Sequence, residues 1–164
     1  MADDFLHHAH IINGISPVAD AFATSGTTDY VAVQNYGRIG FIIHTGDATG
    51  GTADGVVTIS ASDDASGSST TAMAFTYRVC LSSTTVDTWG AQTAATSTGF
   101  AMTAGDNYIY YCEVNAEDVQ AAQSGAKFVA MTVTEDTNDP IVAGILGLGL
   151  DPRYPGEVPV SAIA

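Results

Sequence analysis

The chain has 164 residues, enough for one compact domain, and carries four cations against 18 acids for a formal net charge of −14 at pH 7. Arg38, Arg78, Lys127 and Arg153 cannot build the basic stripe that neutralises phosphates, so nucleic acid and anionic membrane surfaces are excluded as partners. The longest uncharged apolar run, Ile141 to Leu150, is half the ~20 residues that a membrane-spanning helix needs and reads as a core strand.

Residues 1–22 mix Phe5, Leu6, Ile11 and Ile12 with His7, His8 and His10 and keep neither helical nor strand spacing for long, so they read as an N-terminal arm. Asp3 and Asp4 stand where a secretion signal carries positive charge, which predicts cytoplasmic synthesis. Residues 23–150 read as a β-sandwich domain. Strands are predicted at Tyr30–Gln34, Arg38–Thr45, Val56–Ser62, Met73–Leu81, Phe100–Thr103, Tyr108–Val114, Lys127–Thr134 and Ile141–Leu150, with a short further one near Val86–Trp89. Clusters of Gly, Ser, Thr, Asp and Asn separate them, and the stretches Gly46–Gly55 and Ser62–Thr71 are expected as exposed loops. The expected fold class is all-β: an antiparallel, jelly-roll-like sandwich of about eight strands with extended N- and C-terminal arms.

Alternation supports two packed layers. Met73, Phe75, Tyr77, Val79 and Leu81 share one face while Arg78 looks elsewhere, and Ile39, Phe41 and Ile43 share another. In the strand at 108–114, Tyr108, Tyr110 and Cys112 fall on one face and Ile109, Tyr111 and Glu113 on the other. Such a two-faced strand can serve a core on one side and a subunit contact on the other. Asn115 is placed to cap a helical turn over Ala116–Gln120, with Glu117 and Asp118 at its positive end. Gly144, Gly147 and Gly149 let a buried strand approach its neighbours closely. Residues 151–164 hold Pro152, Pro155 and Pro159, which fix φ and remove ladder donors, so this segment reads as an extended C-terminal arm. Its apolar Tyr154, Val158, Val160 and Ile163 need cover, which points to docking on a neighbouring subunit.

Little in the chain speaks for catalysis. Cys80 and Cys112 each lie inside an apolar run and read as buried thiols, with a bridge between neighbouring strands as the alternative. The HHAH segment offers imidazoles to a transition metal but no fixed groups to orient them, so no metal is expected there. Asp47, Asp54, Asp63 and Asp64 lack the order of a calcium loop and read as solvated acids. A Gly-x-Ser-x-Gly elbow, a Walker loop and a dinucleotide fingerprint are all missing from the sequence, and no coherent set of nucleophile, base and oxyanion donors stands out. The expectation is a protein without enzymatic activity or cofactor.

The C-terminal half carries a resemblance. The order YIYYCEVN at Tyr108–Asn115, AEDV at Ala116–Val119, KFVAMTVTE at Lys127–Glu135, then IVAGILGLGL and DPRYPGEVP is similar to small structural proteins encoded in the head gene clusters of tailed bacteriophages. These are the auxiliary, decoration or cement proteins of icosahedral capsids. The resemblance covers about residues 75–164 and implies a protein on the outer capsid surface, assembled in the host cytoplasm, whose partners are the major capsid protein and further copies of itself. A homotrimer is the favoured assembly and a dimer the alternative. The docking residues expected on this reading are Phe5, Leu6, Ile11 and Ile12 in the first arm and Arg153, Tyr154, Val158 and Val160 in the last. Two rival roles are a tail-tube or tail-decorating subunit, and a carbohydrate-binding or adhesin module stacking sugars on Trp89, Tyr30 and Tyr36.

Overall fold

Period-two patterning sorts the strands into two antiparallel layers around a single core. The computed structural model describes residues 5–48, 55–81, 87–103, 107–135, 140–154 and 163. Among them run twelve strands: β1 (Ala9–Val18), β2 (Ser25–Thr27), β3 (Val31–Ala32), β4 (Tyr36–Ala48), β5 (Gly55–Ser62), β6 (Thr70–Met73), β7 (Phe75–Cys80), β8 (Thr93–Ala95), β9 (Phe100–Ala101), β10 (Ile109–Asn115), β11 (Phe128–Glu135) and β12 (Ile141–Pro152). A 3-10 turn at Phe5–His7 and one helix, α1 (Ala116–Ala122), complete the set. The first sheet has the order β1-β12-β4-β10-β7-β8; the second has β2-β11-β5-β6, with β3 on β11 and β9 on β5. The fold is therefore an all-β antiparallel sandwich with more strands than the eight expected, several of them only two to four residues long.

The core is the set of inward side chains. Ile39, Phe41 and Ile43 of β4, Tyr110 and Cys112 of β10 and Ile145 of β12 meet Val57 and Ile59 of β5 and Val129, Met131 and Val133 of β11. Each is almost fully buried, which is worth about 1.5–3 kcal/mol for a side chain of this size. Cys80 and Cys112 are both buried and not disulfide-bonded. Burial pushes the Cys112 thiol well above its ordinary range. The Tyr110 hydroxyl accepts from Thr103 N at 3.1 Å and donates to Thr103 O at 3.2 Å, and burial raises its pKa to about 12.

Four local expectations are corrected. The single strand at Met73–Leu81 is two: the chain passes from β6 in the second sheet to β7 in the first at Ala74, so Met73 and Phe75 reach one core from opposite layers. The short strand near Val86–Trp89 is not formed at residues 87–89, and Val86 lies outside the described residues; the strand after the loop is β8. Asn115 precedes α1 without capping it, since its amide donates to Asp118 Oδ2 at 2.8 Å. Residues 1–22 are not a detached arm either: β1 pairs with β12 from Ala9↔Leu150 to Val18↔Ala143. Ile12 is 3% exposed and sits against Gly147, where an added Cβ would lie 3.3 Å from the Ile12 Cβ. Two register shifts within β1 explain why no strand spacing was legible.

The two sheets differ on their outer faces. On the second sheet, Thr27 of β2, Thr132 of β11 and Thr58 of β5 stand side by side, flanked by Ser25, Thr134 and Ser60. The hydroxyls of Thr27 and Thr132 hydrogen-bond at 2.9 Å. This is the polar exterior of an antiparallel sheet with one wet side. On the first sheet the corresponding row is Asn13, Leu146, Ile42, Tyr111 and Arg78.

Candidate docking surface

Two regions of the first sheet expose apolar side chains. One is the pole where β1 begins and β12 ends. The pairing Ala9↔Leu150 brings the segment preceding β1 and the segment following β12 to the same end of the sheet. Phe5 and Leu6 of the 3-10 turn are 62% and 51% exposed, and Tyr154 is 68% exposed. Arg153 is exposed beside it, its backbone N–H donating to Asn35 O at 2.9 Å. Four of the eight predicted docking residues thus gather at one pole from opposite ends of the sequence. Ile11 lies further along on the outer face of β1, opposite Leu148. Ile12 belongs to the core, and Val158 and Val160 lie outside the described residues. Ile163 pairs with Val31, which places it on the second sheet of its own chain, partly buried against the core.

The pole is fastened by charge. Arg38 Nε donates to Asp151 Oδ2 at 2.6 Å and its Nη1 donates to Glu113 Oε2 at 2.9 Å, while the Tyr111 hydroxyl donates to the same Glu113 oxygen. Residues from β4, β10 and β12 are thereby tied together. Hydrogen bonds to Asp151 and Glu113 drive the Arg38 pKa further up, and the same Arg38 contact holds the Asp151 carboxyl below its usual range. Burial is the main cause of a strongly raised Tyr111 pKa, with the Glu113 contact adding to it.

The second region is the outer face of the first sheet. Val142 and Leu146 of β12 are 47% and 43% exposed, and Ile42, Ile109 and Leu148 are half-buried around them. The Tyr111 ring lies over Gly40, where a Cβ would come within 2.9 Å of Tyr111 Cε2. Trp89 meets that ring edge-on, with centroids 6.5 Å apart, and is itself exposed. A groove of about 290 Å³ opens on this face, floored by Ile42, Gly144 and Leu146 and walled by Pro17 on one side and His44 and Asn107 on the other. Sequence reasoning anticipated a subunit contact on one side of the strand at 108–114 and missed the part of this face that β12 contributes. Its signal was present in Ile141–Leu150, which is apolar in both phases of the alternation.

The other predicted groups are engaged elsewhere. Tyr36 is 3% exposed, its ring covering Gly149 and its hydroxyl hydrogen-bonded to His10 Nδ1 at 2.7 Å, so it offers no stacking platform. Burial lowers the His10 pKa. Tyr30 packs against Gly67 and is half-buried. Asp64 accepts from Ser66 N at 2.8 Å and Ser66 Oγ at 2.7 Å and from the Ser68 hydroxyl, contacts that organise its own loop and hold its carboxyl far below the ordinary range, with Ser68 the largest cause. Asp47 accepts from Asn107 Nδ2 at 2.8 Å. Among the described residues no three His, Cys, Asp or Glu side chains converge to hold a metal ion. No described helix is long and apolar enough to cross a membrane.

No protein-family model matches the chain, and no curated protein does. Among solved structures the chain is similar to the SPBc2 prophage-derived protein YomS, with 16% sequence identity, a TM-score of 0.42, and coverage of 85% of this chain and 92% of that one.

Proposed function

We propose that this chain is a structural protein of a tailed-phage virion, without enzymatic activity, that decorates the outside of the icosahedral capsid and bridges major capsid subunits. The observation that carries the reading is the pole of the first sheet, where Phe5, Leu6 and Tyr154 stand exposed beside Arg153 on a base fastened by Arg38, Glu113 and Asp151. An apolar cluster rimmed by polar groups on a rigid sheet end is the form of a protein-docking site. The sequence order of the C-terminal half, similar to capsid decoration proteins, supports the same reading. The charge of −14 repels packaged DNA and favours the capsid exterior. One modest pole contact per subunit becomes durable when several copies act on one shell.

Electron microscopy of purified virions, with antibody against this chain, tests the assignment. Density on the head surface is expected; its absence from particles, or its presence on tails alone, overturns the reading. Particles assembled with Phe5→Asp or Tyr154→Asp should lose at least about tenfold in occupancy, as expected when an exposed aromatic anchor is removed from a docking site, while the folded sandwich survives.

A further inference from the structure

We propose that the outer face of the first sheet is covered by the same face of a second copy of this chain, forming a two-fold pair. This does not rest on the capsid assignment. The first ground is chemistry. An antiparallel sheet with one free side carries polar residues there, as the second sheet does with its threonines and serines. The first sheet instead presents Val142, Leu146 and Ile42, with the exposed Trp89 edge-on against Tyr111 beside them. An exposed apolar face of this kind, with aromatic residues on it, marks an interface.

The second ground is charge, which also chooses the partner. The six strands of the first sheet hold two cations, Arg38 and Arg78, against three acids, Asp47, Glu113 and Asp151. Their net is −1, so −13 of the total −14 belongs to the rest of the chain. Two copies that each carry −14 repel one another least when they approach on this face. A basic partner would find little here to pair with and much more elsewhere on the molecule.

Size is the third ground. With strands about 4.8 Å apart and a rise of about 3.3 Å per residue, the patch from β1 to β7 and from Val142 to Leu150 covers roughly 500 Å² per copy. Two copies bury roughly 1,000 Å², where specific interfaces begin. A patch that meets itself is isologous and closes at two subunits. The groove beside Leu146 gives each copy a place to seat a side chain of the other.

Sedimentation equilibrium on the whole chain tests this, with the emission of Trp89, the sole tryptophan, as a second readout. The expected mass is twice that of the chain, with a blue shift of Trp89 on association. Raising sodium chloride from about 20 to 150 mM should tighten the pair, because like-charge repulsion is screened. Leu146→Asp and Val142→Asp should each weaken it by about tenfold to a hundredfold, with circular dichroism showing an intact fold. Phe5→Asp at the pole should leave it unchanged, which separates this face from the docking pole. A monomer up to about 0.5 mM, a trimer, association that weakens with salt, or Leu146→Asp and Val142→Asp variants that are folded and still paired would each overturn the proposal.

Discussion

The two sheets share one core and one pairing pattern yet turn opposite chemistries outward. The second sheet sets Thr27, Thr132 and Thr58 in a row, while the first sets Leu146, Ile42 and Tyr111 at the equivalent place. Inward, both obey the same rule: Phe41 and Ile43 on one side and Ile59 and Met131 on the other are fully buried. The contrast separates two demands on a β-strand. Inward residues answer to the fold, and outward residues answer to whatever the sheet must meet.

The largest test of that separation compares the two sides of β4 and β12. Phe41→Ala empties a fully buried site and should cost about 3–5 kcal/mol in urea unfolding. Leu146→Thr, which gives the first sheet the outward chemistry of the second, should change the stability of the single chain by less than about 1 kcal/mol while loosening the pair. Equal effects of the two substitutions would erase the distinction. Next in size is Gly149→Ala, whose Cβ would sit 2.5 Å from the Tyr36 ring; we expect a loss of about 1–3 kcal/mol and disturbance of the Tyr36–His10 hydrogen bond.

Acid should act on the first sheet in two stages. The folded state holds His10 below its ordinary pKa of 6.5, so the unfolded chain binds its proton first. That contribution is complete above about pH 6.5 and fades as pH falls below it. Asp151 is likewise held low by Arg38, and its contribution fades below about pH 4. Thermal melts from pH 8 to 3 should show both declines, and His10→Gln should remove the upper one. The smallest expected effect is general. With 18 acids and four cations, moderate sodium chloride should raise the melting temperature by a few degrees at most, and a fall would contradict it.

Much of the sandwich was legible because β4, β5, β10, β11 and β12 are long enough to display their period. Shorter strands such as β2, β6 and β8 are not, for three or four residues, all Ser, Thr, Gly or Ala except Met73, carry no alternation to read. β1 was hidden for another reason. The irregularity between Asn13 and Ile15 lets Ile12 and Ile15 both turn toward the core, so the segment looked patternless and Ile12 was placed among docking residues. Phe5, Leu6 and Tyr154 stand out as apolar residues near the ends of the sequence and Arg153 as one of only four cations, but their meeting at one pole depends on the pairing of β1 with β12, which local sequence cannot encode. Tyr36, named as a stacking platform under the rival adhesin role, is buried instead, because its ring fills space that only Gly149 across the sheet leaves open.

That β12 lies between β1 and β4 has a consequence for the birth of the molecule. Ala9 finds its neighbour only at Leu150, and β4 finds one flank only in the same late segment. On the ribosome, Ile12, Ile39 and Phe41 must wait for residues beyond 140 to emerge before the layer can close. The nascent chain therefore leaves the exit tunnel with sticky, half-finished β-structure. Completion comes late and all at once, which makes this stretch of synthesis the one in which a holding chaperone has the most to protect.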